Sequence, residues 1–235
     1  MRQLALLFLL LVGACAKPAA VEMATPLPEV VAIDVLVEPD AAMVAAAEAM
    51  NARLRAEHLA GYALDATHRP HITLVQRYVR AADLPKVEAA VAQVLASHPP
   101  GALRLRATNY VAADFGGSGL MLLGTDNPPE LAGLQAAVVD AVAPYAVSGG
   151  TAAAFVQDPN GPIVQGTIDW VDTFVPKASG AKYWPHVTVG VAPLPFLKSV
   201  AAEPMKPLAF GAADVAIYQL GNYGTAQKLL WRSGR

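Results

Sequence analysis

The sequence predicts an α+β fold of two related lobes behind a short apolar N-terminal segment. Three observations predict it. β-rich runs bounded by proline or glycine are interspersed, without strict alternation, with stretches whose apolar residues recur at helical spacing. The composition is that of a globular chain, 54% hydrophobic and 15% charged over 235 residues. One four-residue pattern, Pro-His-(Ile/Val)-Thr, occurs twice, at 70–73 and 185–188, each time opening an apolar run.

The elements follow in order. "EVVAIDVLVEP" carries a strand over 30–37. Asp40 can cap a helix over 41–58, with Met43, Ala47, Met50 and Leu54 on one face. "HITLVQRYV" is a second strand, 71–79. Asp83 starts a helix that buries Leu84, Val87, Val91 and Val94 and stops at Pro99-Pro100. Residues 102–112 alternate as a strand, "GGSG" at 116–119 turns, and 120–124 returns as the partner. Asn127-Pro128-Pro129-Glu130 reads as a helix start with a capping asparagine, and Leu131, Leu134, Val138 and Val142 give that helix its apolar face. The Gly/Pro-rich stretch 146–185 holds one helix, about 163–175, using Trp170, Val171 and Phe174. A strand at 186–192 and a closing hairpin of 211–221 with 227–232 complete the chain.

The N-terminus has a different character. Arg2 precedes an apolar run, Leu4 to Val12, too short for the roughly 20 residues that span a bilayer and suited to a signal peptide. Val12-Gly13-Ala14-Cys15 resembles the bacterial lipobox, in which the cysteine is lipidated; the alternative is an ordinary signal peptide with an incidental cysteine. Cys15 is the only cysteine, so no internal disulfide competes for it. The organisation expected is a lipoprotein signal peptide at 1–14, the lipidated Cys15 with a flexible tether to 28, and one domain over 29–235. Such a protein is exported and held by its lipid on the periplasmic side of the cell envelope.

The repeated motif carries the chemistry. Side chains on a strand alternate faces, so His71 and Thr73 share one face, and His186 and Thr188 share another. Two such strands side by side would frame a phosphate: hydroxyls donate to its oxygens, a neutral histidine takes a proton, and a protonated one gives a proton. By the same parity Arg77 falls on the cleft side as a phosphate contact or a solvated strand-end cation, and Tyr183 or Trp184 could stack on a base or simply anchor the chain. No metal is called for. A zinc site of His68, His71 and His186 would leave both threonines unexplained, and no carboxylate cluster is evident for magnesium. "GGSG" lacks the Lys-Ser/Thr of a phosphate-binding loop, and His58 and His98 stand alone near helix ends. A net charge of −2 excludes a bulk basic field for long nucleic acid.

"PHITL" and "PHVTV", each on a strand and widely separated, resemble the paired H-x-(T/S)-x motifs of the 2H phosphoesterase superfamily, which includes bacterial 2′-5′ RNA ligase-like proteins and cyclic nucleotide phosphodiesterases. The resemblance runs from about 30 to 232. It implies a bilobal fold of two antiparallel-sheet lobes with helices outside, a central cleft and pseudo-twofold symmetry. It implies cleavage or formation of a phosphodiester at a 2′ oxygen or a 2′,3′-cyclic phosphate, without metal or cofactor. It makes His71 and His186 catalytic and Thr73 and Thr188 substrate-binding, with His186 the base and His71 the acid in hydrolysis. A monomer acting on a small nucleotide or RNA end follows from this reading. The other readings are a non-catalytic ligand-binding envelope lipoprotein on the same fold, and a structural envelope protein with the motifs buried.

Overall fold

The computed structural model describes residues 26–115, 118–157 and 161–234. The signal-peptide and Cys15 readings lie outside the described residues, as do Gly116 and Gly117. The strands are β1 (Val30–Pro39), β2 (Ile72–Arg80), β3 (Arg104–Phe115), β4 (Ser118–Thr125), β5 (Ala146–Val147), β6 (His186–Ala192), β7 (Leu208–Leu220) and β8 (Ala226–Arg232). The helices are α1 (Ala41–Glu57), α2 (Leu84–Ser97), α3 (Pro129–Val142), α4 (Gln165–Ala178) and α5 (Leu194–Ala201). No described helix is long and apolar enough to cross a membrane.

All strand pairs are antiparallel, in the order β5-β2-β1-β7-β3-β4-β6, with β8 added to β7. The long strand β7 joins the two halves. Its first residues, 208–211, pair with β3, and from Ala212 onward it pairs with β1. The apolar residues of β1, β2, β4 and β6 then form one core with the buried faces of the helices.

Local signals explain most element ends. Asp40 caps α1 as the sequence predicts, accepting from the Ala42 and Met43 amides at 3.0 and 3.2 Å. Two expectations need correction. Asp83 gives no side-chain cap to α2; it pairs with Lys86 at 2.8 Å after a 3₁₀ turn, while Val94 packs partly buried against the core beside the buried Leu95. Asn127 does not cap α3, which starts behind Pro128; its amide donates instead to the Tyr183 carbonyl at 3.4 Å. Helix α5 lies in a stretch for which the sequence reading gave no element; Pro195 sits in its first turn, where proline is tolerated.

The two halves repeat one construction. Leu36 pairs with Thr73 but Val35 with Val75, so Leu74 bulges from β2. Leu122 pairs with Thr188 but Met121 with Gly190, so Val189 bulges from β6. Each bulge directly follows a motif threonine, and each bulge carbonyl accepts from a buried side-chain amide. Gln135 Nε2 on α3 reaches the Leu74 carbonyl at 3.2 Å, and Asn51 Nδ2 on α1 reaches the Val189 carbonyl at 2.8 Å. Thus α1 packs on β6 and α3 on β2, each helix crossing to the motif strand of the other half. Gly190 leaves room for this clamp: a Cβ there would sit 3.0 Å from Asn51 Nδ2.

Candidate active site

Both motif histidines are fixed in the same way. His71 Nδ1 contacts the Arg69 carbonyl at 2.7 Å, and His186 Nδ1 the Trp184 carbonyl at 3.0 Å, two residues back in each case. A carbonyl only accepts, so each Nδ1 carries a hydrogen and each Nε2 is left for chemistry. Both rings and both threonines line one cavity of about 320 Å³ between β2, β6 and α4.

The two halves differ in what lies beneath the histidines. Asp34, on β1 and 0% exposed, has its Oδ2 3.5 Å from His71 Nε2. The same oxygen accepts from the Thr73 hydroxyl at 2.7 Å and from Gln76 Nε2 at 3.0 Å. Buried Asp34 Oδ1 has no partner. In the other half the position of Asp34 is taken by Leu120, which pairs with Val191 as Asp34 pairs with Gln76.

This difference separates the two imidazoles. Burial pulls His71 down, but the Asp34 carboxylate, the Arg69 carbonyl and the more distant Glu38 outweigh it and hold His71 above its ordinary value. Burial also lowers His186, and the positive charge of His71 lowers it further, against the pull of the Trp184 carbonyl and Asp34. At neutral pH the arrangement favours one protonated and one neutral histidine facing the same space.

The threonines are not equivalent either. The Thr73 proton is committed to Asp34, so Thr73 orients the carboxylate rather than offering its hydrogen to a ligand. No protein group engages the Thr188 hydroxyl among the described residues, and it lines the cavity. Tyr183 is buried and donates its hydroxyl to the Thr73 carbonyl at 3.0 Å, bracing the first motif strand. Trp184 is 43% exposed at the cavity wall and stacks on the His186 ring, with centroids 4.9 Å apart.

Arg77 lies outside the cavity lining. An unbroken alternation from His71 would put Arg77 on the cleft side. The bulge at Leu74 shifts the count by one, so Gln76 faces the cleft and Arg77 points toward the opposite face. His68 stacks on Tyr62 with centroids 5.1 Å apart and lies outside the cavity lined by His71 and His186. Among the described residues no three His, Cys, Asp or Glu side chains cluster as metal ligands.

Several residues of the site went unread in the sequence: Asp34, Gln76, Phe115 and Tyr223. Asp34 had a signal, a lone carboxylate in the apolar run "VVAIDVLV". Tyr223 had none. It adopts φ 58, the left-handed region that costs a non-glycine residue about 1–2 kcal/mol, with its amide held by Thr167 Oγ1 at 3.0 Å.

An antiparallel α+β fold with two histidine–threonine strands facing one cleft is the arrangement that the paired motifs led us to expect of the two-histidine class. The sequence profile of the 2′-5′ RNA ligase superfamily matches residues 39–219, and the chain belongs to that superfamily. No curated protein matches the chain. Among solved structures, TT0787 of Thermus thermophilus is 15% identical with a TM-score of 0.50, covering 86% of this chain and 96% of that one, and shares its fold. Apo LigT of E. coli is 16% identical with a TM-score of 0.45, covering 87% of this chain and 97% of that one.

Proposed function

We propose that the protein is a metal-independent phosphodiesterase acting on a 2′,3′-cyclic phosphate or 2′-5′ phosphodiester of a small nucleotide or RNA end. Superfamily membership supports a phosphodiesterase-type activity. The observation that carries the reading is the opposite perturbation of two histidines in one cavity, His71 held up beside Asp34 and His186 held down opposite it. In hydrolysis of a cyclic phosphate, neutral His186 takes a proton from water as the water oxygen attacks phosphorus. His71 delivers its Nε2 proton to the departing ribose oxygen, leaving a phosphomonoester. The Thr188 hydroxyl donates to a non-bridging oxygen. The reverse reaction exchanges the two roles.

The test is turnover of 2′,3′-cyclic, 3′,5′-cyclic and 2′-5′-linked nucleotides in the presence of EDTA. Turnover of the first or last class that survives EDTA is expected. Absence of turnover across the panel rejects the proposal.

The lipobox-like segment ending at Cys15 supports placement on the periplasmic side of the envelope. Cys15→Ser should then move the protein from the membrane to the soluble fraction, and continued membrane association rejects the lipid anchor.

A further inference from the structure

We propose that the substrate carries, on the side of its phosphate that faces Trp170, one uncharged planar or apolar arm, and that a second phosphate in this arm is excluded. The inference rests on the phosphodiesterase reading above and narrows it.

The cavity does not end at the histidines. It runs on between β4 and α4, with Leu120 and Leu122 on one side and Phe115, Trp170 and Phe174 on the other. The three aromatic rings meet edge to face, with centroids 6.3 and 6.0 Å apart, and so hold one another in place. About 320 Å³ falls at the small end of small-molecule sites, which run to roughly 1,000 Å³. It suits a single ring system rather than a chain of nucleotides.

Charge sets the limit. The described lining contains no lysine or arginine, and its one carboxylate, Asp114, is of the wrong sign for a phosphate. The positive charge of His71 is already partnered by Asp34. An anion carried into this wall would lose its hydration without gaining a cation. Lys177 and Arg69 lie outside this described lining. Lys177 is exposed, its ammonium 6.0 Å from the Trp170 centroid, and Arg69 lines a small hollow that adjoins the cavity at His71 and Thr188 and includes none of Phe115, Trp170 and Phe174. The exclusion therefore applies to the Trp170 arm, and the group on the other side of the phosphate is unrestricted by it.

Three ligands test the arm on the intact protein: uridine 2′,3′-cyclic phosphate, its 5-carboxamide and its 5-carboxylate, with glycerol 1,2-cyclic phosphate as the armless control. kcat/KM is measured for each on the wild type. Kd is measured by calorimetry on His186→Ala, or on His186→Gln if the alanine variant melts early, so that the ligand is not consumed. The uridine ligand should exceed the glycerol one by roughly tenfold to a hundredfold, the range expected for one stacked base. The amide should exceed the isosteric carboxylate by about tenfold or more. Equal turnover of amide and carboxylate overturns the arm and leaves the phosphodiesterase reading standing. Binding in the expected order without wild-type turnover overturns that reading and supports the arm. Neither binding nor turnover overturns both.

Discussion

Asp34 and Leu120 stand at the same place in the two halves of the molecule, each two residues along its strand from the partner of a motif threonine. Everything around them repeats: the bulge after the threonine, the amide that clamps it, and the carbonyl that orients the histidine. The scaffold is therefore symmetric and the charge is not. A symmetric pair of histidines would compete for the same proton. One buried carboxylate in one half and a leucine in the other assign it.

The first prediction follows from that assignment. Activity requires His71 protonated and His186 neutral. The acid limb of the pH profile should lie below 6.5, where His186 gains its proton, and the alkaline limb above 6.5, where His71 loses its own. Asp34→Asn removes the main causes that raise His71 and leaves burial, which lowers it. The alkaline limb should move to lower pH, with activity at pH 8 falling about tenfold for each unit moved. The same shift has a stability sign. A raised histidine stabilises the fold below its unfolded value near 6.5 and loses that contribution as pH rises through the folded value, so the variant should lose this gain on the acid side. Profiles of kcat/KM against pH for both proteins decide it; an unmoved alkaline limb in Asp34→Asn would overturn the assignment.

How far the sequence reveals this site depends on the range of the interaction. The strand pattern and the repeated Pro-His-x-Thr are local, and strands, motif faces and the α1 cap could be read directly. Arg77 was misplaced because one inserted residue inverts a strand's faces, and nothing in "HITLVQRYV" marks Leu74 as the insertion. The far wall of the cavity comes from α4, whose docking on β2 is a long-range packing outcome with no short-range signal. Asp34 was legible as an oddity, but its partner His71 is fixed only by the β1–β2 register.

Removal of either histidine should be severe and local. His71→Ala and His186→Ala should each lower kcat by about 10²–10⁴-fold, the usual range for a lost general acid or base. Thermal unfolding should stay close to wild type, because His71 pairs with a carboxylate that also keeps Thr73 and Gln76. Near-wild-type turnover in either variant would reject the mechanism.

The two threonines should fail differently. Thr188→Val removes a hydroxyl that no described protein group engages, so the loss should fall on transition-state and substrate binding with the pH profile unshifted. Thr73→Val removes a hydroxyl that holds the Asp34 carboxylate beside His71, so it should also change the alkaline limb. Parallel profiles for the two variants, both unshifted, would show that Thr73 does not act through Asp34.

The bulge clamps should be separable from the chemistry by their effect on stability. Asn51 makes three bonds, donating to the Val189 and Tyr62 carbonyls at 2.8 and 3.0 Å and accepting from the Leu64 amide at 3.0 Å. Gln135 donates to the Leu74 carbonyl and the Ser179 hydroxyl, both at 3.2 Å. Truncation leaves these groups buried without partners, at a cost of about 1–3 kcal/mol. Asn51→Ala should therefore lower the urea midpoint more than Gln135→Ala. Asn51→Leu should fare no better than alanine, because the stranded groups are polar whatever fills the space. The clamps share no partner, so the double variant should show coupling within about 0.5 kcal/mol. Each clamp also sets the turn of the strand just beyond a motif threonine. Asn51→Ala should for that reason raise KM through Thr188, while Gln135→Ala should disturb the alkaline limb through Thr73 and Asp34. Equal kinetic profiles for the two would show that the bulges serve folding alone.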